Sequence, residues 1–114
     1  MTLRLTPDML AAAYDFLRVT APFDRWRLPD SDELGFHVVR DPALSADFGI
    51  REGMPCIRVS EASNGHTVTL LATLGHEMIH LRQHLTDDRE HHGPRFQRMA
   101  ARVCAVHGFD PKTF

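Results

Sequence analysis

Sixteen residues in the second half of the chain, Val68 to Gln83, contain only two side chains that are normally charged, Glu77 and Arg82. A helix with one face in water carries charge along that face. A charge-poor stretch of this length therefore predicts a helix buried on most sides, around which the remaining elements must be arranged. Leu71, Leu74, Met78, Leu81 and Leu85 recur at steps of three and four, which puts them on one face. The predicted helix runs from about Thr67 to Leu85. Gly75 lies in its interior, where glycine costs about 1 kcal/mol relative to alanine, so a close approach or a packing contact is expected there.

The flanking sequence supplies the other elements. Thr6 is placed as an N-cap, with Pro7 at the first helical position and Asp8 in the first turn. That helix carries Met9, Leu10, Ala13, Phe16 and Leu17 inward and ends before Pro22. Phe23 to Ser31 reads as a loop. Leu34–Arg40 and Pro55–Ser60 have strand composition. Ala43 to Met54, with turn signals at Gly49 and Gly53, fits no single element. Ser63-Asn64-Gly65 reads as a turn and Thr86 to Glu90 as a polar loop. Pro94 opens a last helix with Phe96, Met99, Ala100, Val103 and Val106 inward, and Gly108 ends it. This order predicts one α+β domain over residues 1–114, with a small sheet packed on helices.

Composition excludes several classes. No segment reaches the roughly 20 apolar residues that span a bilayer. The opening Met1-Thr2-Leu3-Arg4-Leu5-Thr6-Pro7-Asp8 lacks the apolar core of a secretory signal, so a cytoplasmic protein without membrane partners is expected. The net charge of −2 is not that of a dedicated duplex-DNA binder, which carries a basic excess. Arg95, Arg98 and Arg102 on the last helix read first as a solvated face, with an anionic partner such as DNA as the sharper reading. Cys56 and Cys104 are far apart and form no Cys-x-x-Cys pair, which excludes a zinc ribbon; both read as buried thiols.

Chemistry concentrates on the charge-poor helix. His76-Glu77-Met78-Ile79-His80 has the pattern His-Glu-x-x-His. Imidazoles four residues apart on a helix share a face and can take two corners of a zinc tetrahedron. Glu77 projects beside such an ion, where it can take a proton from water whose pKa the metal lowers to about 7. A buried Glu77 without a partner would be costly, and a neighbouring zinc and its water would provide one. A catalytic zinc needs three protein ligands and an open position. The extended form with a glycine three residues and a histidine six residues after the second ligand is absent, since Gln83 and Thr86 stand there. Glu90, the one glutamate after His80, lies in the polar loop. His84, His91 and His92 remain. His84 is one turn further along the same helix, and a straight helix does not easily bend three ligands around one ion.

His76-Glu77-Met78-Ile79-His80 followed by His92-Gly93-Pro94-Arg95-Phe96 resembles the SprT-like zinc metallopeptidases, the family of the Spartan proteases that degrade proteins crosslinked to DNA. Their pattern is His-Glu-x-x-His, a spacer, then His-Gly-x-x-Phe or a similar aromatic. The resemblance implies that His92 is the third ligand beside His76 and His80, with His91 as a neighbour, and that Glu77 is the general base. It implies a zincin-like fold, a small mainly antiparallel sheet against an active-site helix, a bound Zn2+, and a protein or peptide substrate lying as an extended strand beside the sheet edge. It covers the last third of the chain well and the start in outline. Many relatives carry a cysteine zinc ribbon or DNA-binding segments after the protease domain, and these 114 residues hold none; DNA association is less well supported than catalysis. Two other functions compete. A zinc that only braces the fold has no need of Glu77 and is usually closed by a fourth Cys or His. A different zinc hydrolase would use the same water activation.

Overall fold

A computed structural model describes residues 4–114 of the chain; Met1, Thr2 and Leu3, part of the opening segment read above, lie outside the described residues. Helix α1 covers Pro7–Arg18, with the Thr6 hydroxyl accepting from the Met9 N–H at 3.1 Å. Two short 3-10 turns, Phe23–Arg25 and Ser31–Glu33, interrupt the loop that follows. Strands β1 Gly35–Val39, β2 Ala46–Arg51 and β3 Met54–Ser60 precede helix α2, Thr67–Leu85, and helix α3, Pro94–His107. The class is α+β, three helices with one small sheet. Among the described residues no helix is long and apolar enough to cross a membrane.

The sheet is mixed, with strand order β1-β3-β2, where a mainly antiparallel one was expected. β1 runs parallel to β3, and β2 antiparallel to β3. Ala43 to Met54, which fitted no element, contains the missing strand. Ala46, Phe48 and Ile50 alternate with Asp47, Gly49 and Arg51. Glu52 and Gly53, both at positive φ (53° and 78°), form the two-residue loop to β3, as a type I′ hairpin turn requires. Parallel strands need a long crossover; residues 40–53 provide it and contain β2, so β3 returns to fill the gap between the first two strands. Buried polar side chains pin this crossover. The Ser60 hydroxyl donates to the Asp41 carbonyl at 2.7 Å, and the Asn64 amide donates to the carbonyls of Ser45 and Ser60 at 3.0 and 2.9 Å. Asn64 therefore does more than turn the chain, and its Oδ1 accepts from Thr73 on α2 at 2.6 Å. Among the described residues β2 is a sheet edge, with no strand on its outer side.

The core lies between the sheet and the helices, with α2 at its centre. Leu70, Leu74, Met78, Ile79 and Leu81 are buried, as are Glu77, His80 and Gln83 on other sides of the same helix. The buried character expected of this helix is present, although Leu85 at its end is exposed. On α1 the inward stripe is Leu10, Tyr14 and Leu17, and Phe16 is exposed. The stripe is rolled toward Tyr14, whose hydroxyl donates to the Pro29 carbonyl at 2.6 Å. On α3 Phe96, Ala100, Val103 and Cys104 are buried while Val106 is exposed, so Cys104 takes the place expected of Val106. Gly108 closes α3 in the left-handed conformation, its N–H bonding the Cys104 carbonyl at 2.8 Å. Cys56 and Cys104 are both free and buried, as read from their spacing.

Candidate metal centre

His76 and His80 project from consecutive turns of α2 with ring centroids 5.0 Å apart. The loop after α2 brings His92 over them, at 5.5 Å from the His76 ring and 4.9 Å from the His80 ring. One ligand nitrogen from each of the three histidines lies within 4.8 Å of the others. The Nε2 atoms of His76 and His92 are 3.4 Å apart. Two nitrogens held at about 2.0–2.1 Å by a tetrahedral ion are separated by roughly 3.3–3.4 Å, so this spacing suits a shared ion. Phe96, 3% exposed, packs beneath all three imidazoles at centroid distances of 4.8 to 5.0 Å. The phenylalanine four residues after His92 thus forms the floor of the cluster.

The far side of each helix histidine has an acceptor. His76 Nδ1 donates to the main-chain oxygen of Phe114 at 2.7 Å, and His80 Nδ1 donates to Gln83 Oε1 at 2.8 Å. The orientation of that amide follows from its other end, because Nε2 faces two acceptors, Asp88 Oδ2 at 3.1 Å and the Glu90 carbonyl at 2.9 Å. Protons on Nδ1 leave both Nε2 lone pairs free for a metal, the usual pattern of a histidine ligand with an outer hydrogen bond. Burial lowers the pKa of His76, and lowers that of His80 to about 4, so both rings are neutral at pH 7, as ligands must be. The donor set fits a divalent ion.

Glu77 is 6% exposed, and burial, with a smaller contribution from Asp47, raises its pKa to about 8. Its carboxyl faces a cleft of about 640 Å³ bounded by His76, Ala72, Thr73, Phe109 and Phe114, with Ala46 at the start of β2. A second cleft, about 430 Å³, opens on the other side of the cluster, between His80 and Phe48, Gly49 and Ile50 of β2. The free edge of β2 therefore runs past the histidines from one cleft to the other. His84 and His91 line the second cleft and stand outside the three-histidine group. His84 packs near Phe48 at 5.8 Å, and His91 lies 5.7 Å from His80.

The glycine after His92 has a steric origin. A Cβ on Gly93 would lie 2.7 Å from the Glu90 Cβ and 2.6 Å from its Oε2, while the Gly93 N–H donates to the Glu90 carbonyl at 2.9 Å. Only glycine allows this tight turn into α3. Gly75 lies against the rings of Phe23, Phe109 and Phe114 at 3.5 to 3.6 Å from its would-be Cβ, a packing role. The supports from Gln83 and Phe114 were missed in the sequence. Gln83 was read there only as a departure from an extended motif, and nothing in the sequence signals the Phe114 contact.

A family model described as the SprT-like family matches residues 31–114. The chain belongs to the SprT-like family. The match spans β1 to the last residue and so includes the whole histidine cluster and the strand edge beside it. No curated protein matches the chain significantly. Membership of the SprT-like family agrees with the resemblance read from the two motifs, and three clustered histidines agree with its association with metal-dependent proteases.

Proposed function

We propose that the protein is a zinc-dependent metallopeptidase with a zincin-like single domain, in which His76, His80 and His92 hold Zn2+, Glu77 is the general base, and the substrate is a protein or peptide. The observation that carries this reading is the convergence of three imidazole nitrogens beside a buried carboxyl that opens onto a cleft. When bound, zinc supplies a Lewis acid that polarises the scissile carbonyl and acidifies water. The protein's own groups do the rest. The unpaired edge of β2 offers N–H and C=O groups to an extended peptide, which lays its backbone across the histidines. The Glu77 carboxylate takes the proton from the attacking water and returns it to the departing amine. The Nδ1–H bonds to Phe114 and Gln83 hold the two helix imidazoles in the ligating tautomer.

A structural zinc brace is the competing reading. It gives no reason for a costly buried carboxyl beside the histidines or for open clefts on both sides. DNA-associated substrates remain part of the proposal through the exposed Arg95, Arg98 and Arg102 on α3.

Zinc stoichiometry by elemental analysis on wild type, His92→Ala, His91→Ala and His84→Ala tests the centre. One zinc per chain, lost with His92 and retained without His91 or His84, is expected. Cleavage of an unfolded protein substrate, with and without added DNA, then tests catalysis, with Glu77→Gln keeping zinc and losing hydrolysis. Zinc binding with no hydrolysis of any peptide would favour the brace.

A further inference from the structure

We propose that Gln83 is a positioning residue for the centre. One buried carboxamide fixes the tautomer of His80 and also holds the loop that delivers His92. The expected effect on metal affinity rests on the zinc reading above; the contacts themselves do not.

Gln83 is 2% exposed, and both polar atoms of its side chain are hydrogen-bonded. Oε1 accepts from His80 Nδ1, and the two N–H groups reach Asp88 Oδ2 and the Glu90 carbonyl. An amide has two donors to give, and both go to the loop. The main chain repeats the link, because the Asp88 N–H donates to the Gln83 carbonyl at 2.9 Å. Asp88 Oδ1 then accepts from the Glu90 N–H at 3.2 Å, and the Glu90 carbonyl accepts from the Gly93 N–H at 2.9 Å. A continuous set of bonds thus leads from the second helix histidine to the glycine beside His92. Asp87 in the middle of this loop is at positive φ (56°), an uncommon conformation for a non-glycine residue that needs such anchoring. A buried glutamine acting only as polar filler would satisfy itself locally; this one joins two ligand-bearing segments.

The test compares Gln83→Leu and Asp88→Ala with wild type, first without metal. Long-range proton–nitrogen spectra report the His80 tautomer, and hydrogen exchange reports the Asp88 and Gly93 amides. In Gln83→Leu the Nδ1–H form of His80 should give way to a mixture of tautomers. Exchange at both amides should rise about tenfold or more, the scale of one or two lost hydrogen bonds. In Asp88→Ala only exchange should rise, with the His80 tautomer kept. Zinc affinity by chelator competition should fall about 10–100-fold in Gln83→Leu and less in Asp88→Ala. Wild-type tautomer and wild-type exchange in Gln83→Leu would overturn the proposal, as would unchanged exchange in Asp88→Ala, which decides the matter if Gln83→Leu does not fold. If wild type binds no zinc, the zinc reading fails, and the two metal-free measurements still decide the role of Gln83.

Discussion

Replacing Glu77 by Gln should make the metal-free protein more stable while removing the proposed hydrolysis. The Glu77 carboxyl titrates near 4.5 when exposed and near 8 in the fold, because burial, aided by Asp47, opposes its charge. At pH 7 the folded chain therefore holds a proton there that the unfolded chain has released, and stability falls as pH rises from 4.5 to 8. Holding that proton at pH 7 costs about 3 kcal/mol, at roughly 1.4 kcal/mol per unit. His80 acts in the opposite sense. Its pKa drops from 6.5 to about 4, so it destabilises the fold as pH falls below 6.5, and His76 is shifted the same way. Between pH 4.5 and 6.5 the Glu77 and His80 contributions oppose each other, and His76 adds to the His80 side. From pH 6.5 to 8 Glu77 acts alone among these three, and wild type should lose about 2 kcal/mol across that window. Glu77→Gln should be flat there and more stable than wild type by about 3 kcal/mol at pH 7. Urea unfolding of chelator-treated protein at several pH values from 6.5 to 8 measures this. Parallel wild-type and variant profiles across that window would refute the account of a strained buried carboxyl, as would a variant less stable than wild type at pH 7.

Three glycines give sharper steric tests. Gly93→Ala forces a Cβ within 2.7 Å of the Glu90 Cβ, so it should cost about 1–3 kcal/mol in urea unfolding and weaken zinc binding in chelator competition by displacing His92. Gly75→Ala meets only ordinary ring contacts at 3.5 Å or more; it should stabilise the protein by about 0.5–1 kcal/mol, and a clear loss in the same assay would count against the packing described. Gly35→Ala would place a Cβ 2.5 Å from Cys56 Sγ and should cost about 1–3 kcal/mol. Adding Cys56→Ala should recover much of that loss, a coupling that a double-mutant cycle reads directly.

Much of the fold was legible because helices announce themselves locally. Thr6 and Pro7, the charge-poor stretch before Gln83, and Gly108 each act within a turn or two of their own position. All three helices lie where those signals place them. The stripes were less exact. Phe16 and Val106 fit an apolar spacing but face water, since Tyr14 and Cys104 fill the adjacent inward positions. β2 was obscured for a physical reason: Ala46, Asp47 and Gly49 have low strand propensity, so its alternation had little weight beside two glycines. The mixed pairing could not be read, because strand order depends on where β3 lands after the crossover, and that is held by Ser60, Asn64 and backbone carbonyls far from them in sequence.

The histidine cluster divides along the same line. His76 and His80 are four residues apart on one helix, so their pairing follows from helical geometry alone. His92 was reached through a family resemblance, and its position depends on a turn that closes because Gly93 has no side chain. The supports behind the histidines are less local again. Gln83 acts through partners five and seven residues ahead, and Phe114 reaches His76 across thirty-eight. A motif therefore specifies which atoms can meet an ion, while the tautomer and approach of those atoms are set by residues that no motif contains. On the proposed zinc reading, chains of this family sharing His-Glu-x-x-His and His-Gly should differ in metal affinity through positions such as 83, whose side chain bonds a histidine rather than the ion.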